Sequence, residues 1–165
     1  MPWLYQRGKF QELIFKFILR NTILVSHPET LIKEYQRRYG LSRERVRIVP
    51  HYISVSRFKT SISKDEAKRH IGISPQKKVV LFVHRLSRRK GAHLLPYIIS
   101  RVTSENKDAI FVIAGDGPER KNLESEIHEL RLGGYVRIVG EVPQRELPKY
   151  FWAADVFINP SEEEG

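Results

Sequence analysis

Cysteine is absent from this chain of 165 residues, which excludes a disulfide framework, a thiolate zinc site and a thiol nucleophile, and permits a reducing compartment without proving one. A long apolar run is missing too. The nearest approach, Leu13 to Leu19, is interrupted by Lys16, is too short to cross a bilayer and is followed by no small-residue cleavage site. Neither a signal peptide nor a transmembrane helix is read from it. Acidic residues are the scarcer sign, 19 against 29 Lys and Arg, and the deficit lies in the first third. Residues 1–60 hold 12 basic and 4 acidic residues, whereas residues 61–165 hold 17 and 15. Apolar residues are in ordinary supply at 41%, with 29% charged, a balance that excludes disorder and gives a chain of this length enough material for a core.

The basic excess raises the question of nucleic acid. Such a binder adds a reading element or an aromatic stacking platform to its charge, and neither stands beside Arg37 and Arg38 or beside Arg43, Arg45 and Arg47. Nucleic acid is therefore not expected as a partner. A basic face toward anionic lipid or an acidic acceptor is the alternative use of the same charge.

Along the chain, Phe10, Leu13, Ile14, Phe17 and Ile18 recur at helical spacing, so residues 4–20 read as a helix. A short β-branched run, Thr22 to Val25, passes into a helix over 27–39, with Ser26 and Glu29 in capping-box spacing, Pro28 in the first turn and a stop at Gly40. Val46 to Val49 reads as a strand, and Pro50 opens an irregular stretch to about Ile62. This places a domain boundary there: residues 1–50, a hinge at 51–62, and a second domain over 63–165.

In that second domain strands and helices alternate four times, which predicts an α/β fold with a Rossmann-like parallel sheet covered by helices on both faces. Ser63 and Glu66 cap a short helix, and Val79–Val83 is an all-apolar strand. Leu94, Leu95, Ile98, Ile99 and Val102 mark the buried face of the next helix. Strand 109–114 leads to a helix opened by Pro118 and closed at Gly133-Gly134. Tyr135–Val139, a helix over 144–153 and Val156–Asn159 complete the set.

Ligands of open parallel sheets bind beyond the carboxyl ends of the strands. Three segments there carry chemistry. Arg85 and Lys90 flank a loop that opens a helix, offering a guanidinium fork, a point charge and free backbone N–H groups, the set a diphosphate requires. Read alone, it is more simply a solvated basic loop. Gly115-Asp116-Gly117-Pro118 is a tight turn that lets backbone approach a ligand. Glu162 to Glu164 follow the last strand, where carboxylates can accept paired hydrogen bonds from a vicinal diol, or can simply form an exposed acidic tail.

Taken in order, these segments resemble the retaining glycosyltransferases of the family numbered four, whose two-domain architecture is the GT-B fold. The matching stretches are Val83-His84-Arg85-Leu86 with Lys90-Gly91, Gly115 to Pro118, Val136 to Pro143 with Glu146-Leu147, and Ala154 to Ser161. Upstream, Ile48-Val49-Pro50 to Arg57-Phe58 is similar to the family's interdomain hinge, and Ile23 to Ser26 to the last strand of its acceptor-binding domain. His84 stands where the family usually has Gly, and His51, Tyr52 and Ser54 where its hinge has Asn, Gly and Asp.

The resemblance implies that residues 63–165 are an incomplete donor-binding half of a GT-B enzyme and residues 1–50 a remnant of the acceptor-binding domain. It implies transfer of a hexosyl group from a UDP- or GDP-sugar to a glycan or lipid-linked acceptor, with retention of configuration, by an enzyme of which this fragment is inactive alone. Arg85, Lys90 and Glu164 would be catalytic. Arg85 and Lys90 would neutralise the departing diphosphate, and Glu164, first of the family's glutamate pair, would contact the transferred sugar. Gly115, Asp116, Gly117, Arg137, Val139 and Gly140 would line the nucleotide site. No cofactor and no metal is expected: the six histidines lack ligand spacing and no Asp-x-Asp motif occurs. The expected place is the cytoplasm, with peripheral contact to a membrane face through the basic first third. The alternatives are a GT-B epimerase or phosphorylase, or a non-enzymatic basic module. The epimerase lacks the Arg-x4-Lys loop, and a binding module has no need of it.

Overall fold

The computed structural model describes residues 13, 14, 16–19, 23–26, 29–48 and 54–162. The chain divides into two compact units, Met1–Ser54 and Val55–Gly165.

In the first unit, residues 13, 14 and 16–19 are helical. Strand β1 (Leu24–Ser26), helix α1 (Glu29–Tyr39) and strand β2 (Val46–Ile48) follow, and the two strands pair in parallel with Leu24 opposite Val46. Gly40, at φ +65°, takes the left-handed conformation that ends α1. Leu19, Tyr39 and Leu41 form the small core, with Tyr35 and Val46 against it, and the Tyr35 and Tyr39 rings meet edge to face at 5.6 Å. Leu19 thus packs inward, while Leu13, Ile14, Phe17 and Ile18 of the predicted apolar stripe are 45% to 70% exposed. Phe10 lies outside the described residues, and the side chains of Ser26 and Glu29 are not described.

The second unit builds its sheet as the alternation predicts. A 3-10 turn (Val55–Phe58) precedes α2 (Lys64–His70), whose capping box is complete: Ser63 N donates to Glu66 Oε2 at 2.7 Å, and Glu66 N donates to Ser63 Oγ at 3.3 Å. Then come β3 (Lys78–Val83), α3 (Leu95–Glu105), β4 (Ala109–Ala114), α4 (Arg120–Glu129), β5 (Val136–Gly140), α5 (Leu147–Ala153) and β6 (Val156–Phe157). All four strands are parallel, in the order β5-β4-β3-β6. Successive side chains of the inner strands point to opposite faces, and each face is covered. Phe82, Phe111 and Ile113 pack against Leu95 and Ile99 of α3 and Leu123 and Ile127 of α4. Val79, Leu81 and Val112 pack against Ile73, Ile71 and Tyr150 on the other side.

The differences from the sequence reading lie at element ends. Helix α4 begins at Arg120 rather than Pro118, because Glu119 N donates to Leu86 O at 3.0 Å and holds that turn against the loop after β3. It ends at Glu129, with Arg131 at φ +57°, ahead of the Gly133-Gly134 pair. Leu94 is 37% exposed, since the 3-10 turn Ala92–Leu94 sets it off the buried face of α3. Helix α5 starts at Leu147 rather than Gln144. Strand β5 is Val136–Gly140 rather than 135–139, with an irregular register at Ile113/Ala114. Strand β6 stops at Phe157, the last tie to β3 being Ile158 N to Leu81 O at 2.9 Å.

Candidate functional site

Beyond the carboxyl ends of β3, β4 and β5 lies a cleft of about 660 Å³. Its floor is two loops zipped together. His84 N donates to Ala114 O at 3.1 Å and Leu86 N to Asp116 O at 2.9 Å, while the fully buried Leu86 side chain anchors the loop after β3 in the core. Gly115 is required by this closeness: a Cβ there would stand 2.0 Å from His84 O, and its φ of +141° disfavours any other residue. Gly115 N in turn donates to Gly140 O at 2.7 Å, tying the end of β5 to the same turn.

Arg85 lines this cleft with Gly115, Asp116 and Gly117, and its side chain is exposed. Its backbone N–H donates to His84 Nδ1 at 2.8 Å, so Nδ1 is an acceptor and Nε2 is left as the ring's donor. Asp116 is committed to the turn. Its carboxylate accepts from Gly117 N at 2.6 Å and from Arg120 Nη1 at 2.8 Å, and these two bonds, Gly117's first, hold its pKa below the usual carboxylate range. Arg120 also donates to Glu124 at 2.9 Å.

The remaining sequence candidates sit elsewhere. Lys90 ends the 3-10 turn Arg88–Lys90, is only 8% exposed and does not line the cleft. The Arg137 guanidinium turns to the backbone of another loop, donating to Ile71 O at 2.6 Å, and Val139 packs against the core of the second sheet face. Gly140, at φ +73°, contributes its carbonyl to Gly115 rather than a surface to the cleft. Glu164 lies outside the described residues. The segment before it is held to the loop after β3, with Glu162 N donating to Arg89 O at 3.1 Å. Gly91 meets Pro160 so closely that a Cβ would come within 2.3 Å of the Pro160 carbonyl.

The far wall of the cleft, Glu141, Val142 and Leu147, was not singled out from sequence as site residues. The usable signal was position, since Glu141 is the first residue after β5. Among the described residues no group of three or more His, Asp or Glu could hold a metal ion, and no helix is long and apolar enough to cross a membrane.

The family model described as "Glycosyl transferases group 1" matches residues 63–165. The chain is 31% identical over 124 residues to the phosphatidylinositol N-acetylglucosaminyltransferase GPI3 subunit of Saccharomyces cerevisiae (strain YJM789), covering 75% of this chain and 27% of that protein. It is 29% identical over 163 residues to the putative teichuronic acid biosynthesis glycosyltransferase TuaC of Bacillus subtilis, covering 98% and 38%. Among solved structures, WaaG, a glycosyltransferase involved in lipopolysaccharide biosynthesis, superposes with a TM-score of 0.72 at 22% identity, over 87% of this chain and 39% of that one. HepE of Anabaena in complex with UDP superposes with a TM-score of 0.69 at 20% identity, over 86% and 39%. The chain thus spans between 27% and 39% of the length of these relatives.

Proposed function

The chain belongs to the glycosyl transferases group 1 family, and from that premise we propose that residues 63–165 bind the nucleoside diphosphate of a UDP- or GDP-sugar, as the donor half of a retaining glycosyltransferase of family four. The supporting observation is the placement of Arg85 in one cleft with the Gly115–Gly117 backbone, at the carboxyl ends of adjacent parallel strands. A guanidinium there can grip two phosphate oxygens at once, and its charge is fixed before the reaction begins. As the sugar–oxygen bond breaks, negative charge builds on the leaving diphosphate, and a fixed cation stabilises that change without reorganisation.

In this reading Lys90 acts from the wall of the loop, adding positive potential and rigidity, and Glu164 contacts the transferred sugar. Residues 1–50 belong to the acceptor-binding domain and 51–62 to the hinge. The acceptor is a glycan or a lipid-linked molecule met at the cytoplasmic face of a membrane. This chain by itself binds donor without turning it over. Calorimetric titration of the chain with UDP and GDP tests the reading: saturable binding that Arg85→Ala abolishes supports it, and equal binding by wild type and Arg85→Ala overturns it.

A further inference from the structure

Among the described residues, the two side-chain charges that the cleft leaves for a ligand lie at opposite ends and have opposite signs. Arg85 follows β3, in the middle of the sheet, and Glu141 follows β5, at its edge. Two inter-strand steps separate those strands, about 9–10 Å. Asp116 lies between them with its carboxylate already satisfied by Gly117 and Arg120. Glu141 is different: among the described residues no hydrogen bond or ion pair engages its carboxylate. Beside it, Val142 and Leu147 present apolar surface.

Resting on the donor-site reading, we propose that Glu141 selects the base, and that the donor nucleotide of this chain is a guanine nucleotide. A carboxylate repels phosphate, so the phosphates belong at the Arg85 end. What reaches Glu141 must offer hydrogen-bond donors and a flat face to lie against Val142 and Leu147. Guanine offers both, because its N1–H and its exocyclic amino group point the same way at the spacing of two carboxylate oxygens. Uracil presents one N–H between two carbonyl oxygens, so a carboxylate there gains one bond and faces two repulsive lone-pair groups. A site built to accept donors discriminates strongly against a ligand that lacks them.

The experiment is calorimetry of the chain with GDP and UDP as probes, on wild type and Glu141→Gln. Glu141 is exposed on a loop, so the isosteric change leaves the fold intact, which circular dichroism checks. The expected wild-type result is GDP bound at least about 10-fold more tightly than UDP, in the range of a bidentate base contact. Glu141→Gln keeps one acceptor but adds a donor that suits a uracil carbonyl, so the preference should shrink or reverse. Equal affinity for the two in wild type, with Glu141→Gln weakening both alike, would place a ribose at Glu141 and overturn the base assignment while leaving the donor site standing. An unchanged GDP-to-UDP ratio in Glu141→Gln overturns it as well. Binding of neither nucleotide removes both readings together.

Discussion

Lys68 Nζ lies 2.8 Å from Asp155 Oδ2, and the Lys68 side chain is 3% exposed. The pair sits at the amino ends of the strands, on the opposite edge of the sheet from the cleft. Asp155 also accepts from Val79 N at 2.8 Å and from Lys64 at 3.2 Å, so one carboxylate joins the start of β6 to β3 and to α2. Lys68 also donates to the carbonyls of Lys77 at 2.8 Å and Pro75 at 3.4 Å. Asp155→Ala leaves a buried ammonium short of its counter-charge, and the expected cost is about 3 kcal/mol of unfolding free energy. Urea unfolding measures it, and a loss below about 1 kcal/mol would show that Lys68 is satisfied by carbonyls alone.

The same carboxylate predicts an acid limit to stability. Burial pushes the Asp155 pKa up, but the hydrogen bonds from Lys68, Val79 and Lys64 outweigh it and hold it at about 2, against 3.8 for a free group. A lowered folded-state pKa means a contribution fully present above pH 4 that is lost as pH falls toward 2. Its size is about 2 kcal/mol. Unfolding free energy followed across that window should fall in wild type and show a shallower decline in Asp155→Asn. Parallel declines would assign the acid sensitivity to other carboxylates, such as Glu66.

How much of this was legible in the chain depends on range. The parallel sheet followed from local pattern alone, because β4 and all of β3 after Lys78 are uninterrupted apolar runs bounded by helix signals. The capping box at Ser63 was readable because all its atoms lie within four residues. Helix starts such as that of α4 were displaced, since Glu119 answers to Leu86, a partner far away in sequence. For the site, Arg85 and Gly115 were legible through their spacing after strands. Arg137 was not, because its reach to Ile71 is a tertiary choice that a stretch of β5 cannot announce. The Lys68–Asp155 pair was missed for the same reason: neither residue has a local partner that marks it.

Gly115 should be intolerant of any side chain. Gly115→Ala places a Cβ 2.0 Å from the His84 carbonyl oxygen at a φ of +141°, and its three nearest neighbours are all backbone atoms of His84, so no flexible side chain can give way. The expected loss is about 3 kcal/mol or more, with nucleotide affinity lost as the two loops separate. Thermal unfolding and calorimetry check the two effects. An alanine variant of wild-type stability would mean that the loops after β3 and β4 are not held together in solution.

Arg85 carries the sharpest prediction, because its neighbours in sequence serve as internal controls. On the donor-site reading proposed above, Arg85→Ala in a chain competent for transfer should lower the transfer rate by roughly 10²–10³-fold, by analogy with the loss of one fixed donor to a developing anion. Arg85→Lys should recover only part of that, since an ammonium cannot reproduce the bidentate fork. Arg88 and Arg89 are exposed and line no part of the cleft, so Arg88→Ala and Arg89→Ala should change the rate little. Lys90→Ala should behave differently from all of these. Its side chain is enclosed, so removal should lower stability as well as rate, and urea unfolding separates the two contributions. The Arg85 role fails if Arg88→Ala proves as damaging as Arg85→Ala, because a loop acting through its summed charge would then account for the effect without a specific grip on the phosphates.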